Sequence, residues 1–298
     1  MTTITLKTPE VQVTLPDGLS EEQLSGFKPF TSWIQTLSRS LSLQHSNPQH
    51  PFHQDPYALR SITIQSYDLF GGSRLGFLKL QADVRNRADE SLPGAVFLRG
   101  PSVAMLIMLI PDDADDDDDA AASAPGPERE QERHVILTVQ PRVPAGSLAF
   151  VELPAGMVDG GTFAGAAARE IEEELGLRIP GSELTCLSEL AAPTTTQGPE
   201  QQQQKKKSDD DESEGLPFAM FPSAGGCDEH VPIYMHERRV PREQLGEWTG
   251  KLTGLRDHGE KITLKLVRMQ DLWRQGARDA KCLAALALWE GLRREGKV

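Results

Sequence analysis

The stretch Glu152–Leu177, ELPAGMVDGGTFAGAAAREIEEELGL, decides how this 298-residue chain is read. A strand-like run, Leu148 to Val151, leads into it, and Pro154, Gly156, Gly160 and Gly161 then force a loop. From about Ala164 the spacing predicts a helix that ends at Gly176, a residue suited to the left-handed position past a helix end. Ala164, Ala167, Ala168, Ile171 and Leu175 form an apolar stripe for packing on a sheet. Glu170, Glu173 and Glu174 share another face, because residues three and four apart are neighbours on a helix. Three carboxylates so close repel one another unless a cation sits among them. A hard divalent ion suits this set, since Mg²⁺ prefers oxygen ligands and shares them with substrate phosphates. Arg169, four residues before Glu173, is spaced to hold it. The plain alternative is a solvated acidic face, but a Gly-rich strand-to-helix loop does not precede a generic Glu run.

The stretch resembles the Nudix box, G-x5-E-x7-R-E-U-x-E-E-x-G-U, with U a bulky aliphatic. Gly156, Arg169, Glu170, Ile171, Glu173, Glu174, Gly176 and Leu177 supply all but one of the fixed positions. The departure lies in the loop. Twelve residues separate Gly156 from Arg169, one fewer than in the pattern, and Thr162 stands where the first Glu belongs.

Composition sets the wider frame. The net charge of −13 is concentrated in two places. Asp112 to Arg133 carries seven Asp and three Glu against two Arg; Gln197 to Gly215 carries three Asp and three Glu against three Lys. Both read as low-complexity insertions that cannot bury a core. No basic stripe argues for nucleic acid. Cys186, Cys227 and Cys282 are few and widely spaced, with neither a metal pattern nor a disulfide framework, which fits a reducing compartment. The N-terminal residues read as neither a secretory signal nor a transit peptide, and the longest apolar run, Val103 to Ile110, is too short to span a bilayer. A cytoplasmic protein without a membrane partner is the expectation.

Two regions are expected: an N-terminal β-rich subdomain over 1–91 and a main domain over 92–298, with insertions near 112–133 and 197–215. Ser20 to Gln23 reads as a capping box. Phe27, Phe30, Trp33, Ile34, Leu37 and Leu41 form an apolar series, and Leu41 to Tyr57 reads as an irregular connector. Ser61–Tyr67 and Leu75–Val84 read as strands around a Gly71-Gly72-Ser73 turn. In the main domain, Val103 to Ile110 reads as a buried strand, and His134 to Val139 resumes after the acidic insertion as if that segment capped a hairpin. Arg142, following that strand, either grips a diphosphate through its planar fork or makes a surface ion pair. Leu184–Leu190 and Ile262–Val267 read as strands, Trp248–His258 as a loop, and Asp279 as the cap of a final helix.

Beyond the box, the chain is similar to the ADP-sugar diphosphatase branch of the Nudix hydrolases over roughly residues 26–295. Leu98-Arg99-Gly100-Pro101, Val139 to Pro144, Glu152 to Met157, Phe221 to Glu229, Gly254 to Glu260 and Asp271-Leu272-Trp273 carry this likeness. The resemblance implies an α/β fold, an α/β/α sandwich around a mixed sheet, and an N-terminal subdomain that helps form a homodimer. It implies hydrolysis of ADP-glucose or ADP-ribose to AMP and a sugar 1-phosphate with Mg²⁺, or Mn²⁺ in its place. By the same resemblance, the Ala155 carbonyl, Glu170 and Glu174 ligate the metal with Glu173 nearby, and Arg99 joins Arg142 in substrate binding. Glu229, in Gly225-Gly226-Cys227-Asp228-Glu229, is carried over as the base, with Asp228 as the alternative. UDP-glucose or another nucleoside diphosphate is the rival substrate, and a catalytically silent nucleotide-binding module the rival class.

Overall fold

The computed structural model describes residues 1–114, 132–158, 161–193, 214–254 and 261–298, and these fall into two units. The first takes in Met1–Pro101, Pro193–Pro217 and Ser223–His230. Its sheet runs in sequence order through β1 (Thr2–Lys7), β2 (Glu10–Leu15), β3 (Ala58–Phe70), β4 (Arg74–Arg85) and β5 (Ala95–Leu98). All neighbours are antiparallel except β2 and β3. Helix α1 (Glu21–Gly26) opens with the expected capping box: Ser20 Oγ accepts from Gln23 N at 3.1 Å, and the Gln23 side chain accepts from Ser20 N at 3.0 Å. Helix α2 (Lys28–Ser46) buries Phe30 and Ile34 with Val13, Ile62, Leu78 and Leu80, so the apolar series serves this unit's own core.

Helix α2 continues five residues past Leu41, where the connector was expected to begin. Buried Gln44 is the reason. Its side chain accepts from Tyr57 N at 2.8 Å and donates to Tyr57 O at 3.1 Å, tying the helix end to the start of β3. Strand β5, expected to open the main domain, pairs instead with β4, Leu78 opposite Leu98. Gly94 permits this entry, because a Cβ there would lie 2.0 Å from the Ala82 carbonyl oxygen.

The second unit takes in Ser102–Ala192, Phe218–Pro222 and Val231–Val298. Its strands are β6 (Ser102–Pro111), β7 (His134–Arg142), β8 (Ser147–Glu152), β9 (Ala155–Met157), β10 (Thr185–Cys186), β11 (Ile233–Val240), β12 (Leu252–Thr253) and β13 (Ile262–Arg268). The order is β10-β11-β6-β7-β13-β12, with β8 beside β7 and β9 beside β6. The sheet is mixed, because β11 joins β6 in parallel while β7 and β9 join antiparallel partners. Strand β6 shows why helices cover both faces. Val103, Met105, Ile107 and Leu109 pack with Ala166, Ala167, Ile171 and Leu175, while Ala104, Leu106 and Met108 pack with Cys282, Ala285, Trp289 and Leu292 of the C-terminal helix Ala280–Arg294. A strand alternates its faces, so one apolar run supplies both layers of an α/β/α sandwich.

Two local expectations change. Leu184–Leu190 is a two-residue strand followed by a helical turn, Leu187–Leu190, because Ser188 Oγ takes the Ile233 N–H at 3.0 Å in place of a ladder partner. Trp248 ends a helical turn, Leu245–Trp248, and β12 follows it; residues 255–260 lie outside those described. The acidic insertion does join an antiparallel pair, β6 and β7, although residues 115–131 and 194–213 lie outside those described.

Candidate active site

Thr162 occupies the position where the box pattern has a glutamate, and its job is local. Its side chain accepts from Gly165 N at 3.1 Å and caps the helix Phe163–Glu170. The helix then widens. Ile171–Leu175 is a π turn, in which the Gly176 N–H reaches both the Glu172 and Ile171 carbonyls. Gly176 ends it in the left-handed conformation, φ 70°, as its sequence position predicts. Residues of a π turn advance less around the axis than those of an α-turn. Glu174 therefore stays above Glu170 while Glu173 swings away. Glu174 is buried, 5% exposed, and Glu172 and Glu173 are exposed. The expected trio of Glu170, Glu173 and Glu174 is thus a pair plus one solvated acid. Single π turns often mark functional positions.

The pair sits against β9. Glu174 Oε2 accepts from Ala155 N at 3.2 Å, and its Oε1 accepts from Gln140 Nε2 at 3.5 Å. Glu170 lies on Gly156, where a Cβ would stand 1.8 Å from the Glu170 carboxyl carbon. The glycine of the box is therefore a seat for a carboxylate. Burial first, then the charges of Glu170 and Glu152, push the Glu174 carboxyl up to about 8, against the opposing effects of the Ala155 N–H and Arg142. A cation among these oxygens would reverse that shift.

The donor set fits a hard divalent ion. Two carboxylates meet over a seat no side chain can fill, and neither carbonyl nor carboxylate oxygen suits a soft metal. Among the described residues no group of three or more His, Cys, Asp or Glu is arranged around one ion.

The remaining expected residues divide between the units. Arg142 donates from Nε to Glu152 Oε1 at 2.6 Å, an ion pair with a buried partner; the Arg142 side chain is 40% exposed. Arg169 and Glu173 are both exposed. In the first unit, Arg99 Nη1 pairs with Glu229 Oε1 at 3.1 Å. Asp228 accepts from the backbone N–H groups of Arg99, at 2.8 Å, and Gly100, at 3.1 Å. Gly226 O takes the Phe97 N–H at 2.8 Å, so the Gly-Gly-Cys-Asp-Glu segment is laid along β5. Close approach does not require its glycines: a Cβ on Gly225 or Gly226 would meet nothing within 4 Å. Sequence reasoning missed Glu152, Gln140 and Lys281. The first two lie in stretches that carry the resemblance but have no assigned role there, and nothing in their spacing relates them to Glu174.

A glycine-seated carboxylate pair, carried by a strand-loop-helix on a mixed sheet with helices on both faces, is the arrangement of a Nudix catalytic domain. A family model and a relative agree with this. The NUDIX domain model matches residues 118–286. The chain is 37% identical over 272 residues to Nudix hydrolase 14, chloroplastic, of Arabidopsis thaliana, covering 90% of this chain and 72% of that protein. It is also similar to a solved structure described as an ADP compounds hydrolase, at 20% identity and a TM-score of 0.43, over 81% of this chain and 99% of that one. The chain belongs to the Nudix family and is a phosphoanhydride-cleaving hydrolase. Among the described residues no helix is long and apolar enough to cross a membrane.

Proposed function

We propose that the chain hydrolyses the diphosphate of ADP-sugars, ADP-glucose and ADP-ribose among them, releasing AMP and a sugar phosphate. The observation that carries the catalytic reading is the Glu170–Glu174 pair over Ala155 and Gly156. The preference for an adenine nucleotide rests on the sequence resemblance. Glu170, Glu174 and the Ala155 carbonyl would hold Mg²⁺, or Mn²⁺ in its place. When bound, the ion supplies neutralisation of phosphoryl-oxygen charge and a more acidic water. Arg142 binds a phosphate through its planar fork while Glu152 fixes its orientation. Glu229 is assigned the base rather than Asp228, because both Asp228 oxygens are engaged by backbone N–H groups. Its pairing with Arg99 would have to loosen for that role. We further infer a homodimer and a cytoplasmic location; sedimentation and a fusion of the chain to a fluorescent protein test these.

The decisive experiment is a panel of ADP-glucose, ADP-ribose and UDP-glucose assayed with Mg²⁺, with products identified. AMP from the ADP-sugars and little UMP from UDP-glucose is the expected result. UMP as the main product would move the assignment to UDP-sugars, and no phosphate ester from any substrate would leave a silent binding module.

A further inference from the structure

Glu152 lies at the end of β8, one residue before the loop that seats the carboxylate pair, and its side chain is 4% exposed. A carboxylate so buried, and close enough to Glu174 to raise its pKa, needs positive charge around it. It has two cations. Oε1 receives Arg142 Nε at 2.6 Å, and Oε2 receives Lys281 Nζ at 2.8 Å. Lys281 comes from the first turn of the C-terminal helix and also donates to Asp279 Oδ1 at 2.8 Å. Asp279, equally buried, accepts the Leu153 N–H at 2.9 Å and caps the helix through the Lys281 N–H. Burial pulls the Lys281 amine down, but Asp279 and Glu152 outweigh it and hold the amine above its ordinary value, so it stays charged.

Three of the four charged side chains are therefore fixed by packing, and Arg142, 40% exposed, is the one that reaches solvent. The β7–β8 ladder slips between Gln140 and Arg142, so side-chain contacts rather than regular pairing set where Arg142 points. We propose that Lys281 is a positioning residue for substrate binding: acting through Glu152, it holds the Arg142 guanidinium where it takes a phosphate of the nucleotide diphosphate. This rests on the reading of Arg142 as a phosphate-binding residue. Without Lys281, the Glu152 carboxylate loses its second anchor and turns toward Arg142, closing its fork against the protein instead of the ligand.

The test is a double-substitution cycle on the full chain. It reads KM and kcat for ADP-ribose with Mg²⁺, and the Kd for ADP-ribose by calorimetry without metal. Arg142→Ala and Lys281→Met are each expected to raise KM and Kd roughly tenfold, the scale of one charge-assisted hydrogen bond, with kcat changed less. The double variant should be no worse than Arg142→Ala alone. Arg142→Ala without effect on Kd overturns the phosphate-binding reading itself. Arg142→Ala with the expected loss, but Lys281→Met with wild-type Kd or with an additive loss, overturns only the role of Lys281. If Lys281→Met does not fold, the near-isosteric Glu152→Gln takes its place in the same cycle, with the same two outcomes deciding.

Discussion

A buried acid, Glu174, and a half-buried one, Asp228, each stand beside a more exposed or half-buried acidic neighbour, and the fold treats them differently. Asp228 turns both oxygens onto backbone N–H groups of Arg99 and Gly100. Burial still holds its carboxyl above the ordinary value, but these two donors oppose that, no like charge adds to it, and the contacts lay its loop along β5. Glu174 receives one backbone N–H and a long amide contact, then faces Glu170 and Glu152. Its charge is left for something else to answer. Burial alone does not separate a structural acid from a catalytic one; whether the protein completes its electrostatics does.

The largest expected effect tests that distinction directly. Glu174→Gln should cost activity on the order of 10²-fold or more, because it removes a ligand charge without removing volume. Turnover near wild type at saturating Mg²⁺ would erase the contrast. Glu229→Gln should lower kcat by ~10²-fold, in the range of general-base loss, with substrate affinity nearly unchanged. Asp228→Asn should turn over normally and lose about 1 kcal/mol of stability, as one backbone donor loses its acceptor. The reverse pattern would exchange the two roles.

Gly156→Ala sharpens the same contrast from the other side. The added Cβ meets the carboxyl end of Glu170, a flexible group, and not the backbone. The thermal midpoint should therefore move little, while activity falls about tenfold as Glu170 leaves its seat. A large loss of stability with activity preserved per folded molecule would show that the glycine serves packing alone.

A pH series on metal-free protein follows from the raised Glu174 carboxyl. Its pKa stands at about 8 when folded, against an ordinary value of 4.5. Below about 4.5 both states hold the proton and the group is neutral to stability. Between these values the folded state keeps a proton the unfolded state releases, so stability falls as pH rises, until the loss is complete above about 8. Glu174→Gln should abolish this slope and melt higher at pH 8, and Mg²⁺ should reduce the slope in the wild type. A slope unchanged by the substitution would assign it to other groups.

Much of this was legible in the sequence, for reasons that can be named. The apolar run of β6 announces a strand covered on both faces. Ser20 and Asp279 cap the helices their side-chain chemistry suits, and Gly176 ends the central one. The box spacing brings Glu170 and Glu174 together. What helical spacing alone could not tell, and only the resemblance suggested, is which of two adjacent glutamates goes inside. Glu173 and Glu174 have the same chemistry, and only the π turn, set by how Ile171, Leu175 and Leu177 pack under the sheet, separates them. The partner of β5 was hidden for a similar reason: four residues of strand carry no record of which edge they meet. Lys281 lay 129 residues from Glu152, and its spacing on the last helix is that of any surface lysine.

The smallest expected effect concerns acids that are neither structural nor catalytic. Asp113 and Glu132, at the two ends of the acidic insertion, both pair with Arg242, at 2.9 Å and 3.1 Å. Because one guanidinium meets both ends, the chain between them can be replaced by a short Gly-Ser linker without moving β6 or β7. Both pairs are exposed, so each contributes little, and even removing Asp113 to Glu132 entirely should be tolerated. Loop length changes closure entropy only logarithmically, so shortening the segment should leave stability within about 1 kcal/mol. Turnover should stay within a few-fold of the full chain, and the net charge should become much less negative. A folded deletion variant without activity would place these acids with Glu174 instead of with the solvated ones, and a variant with normal kcat but a salt-sensitive KM would give the segment a role in screening anionic substrates.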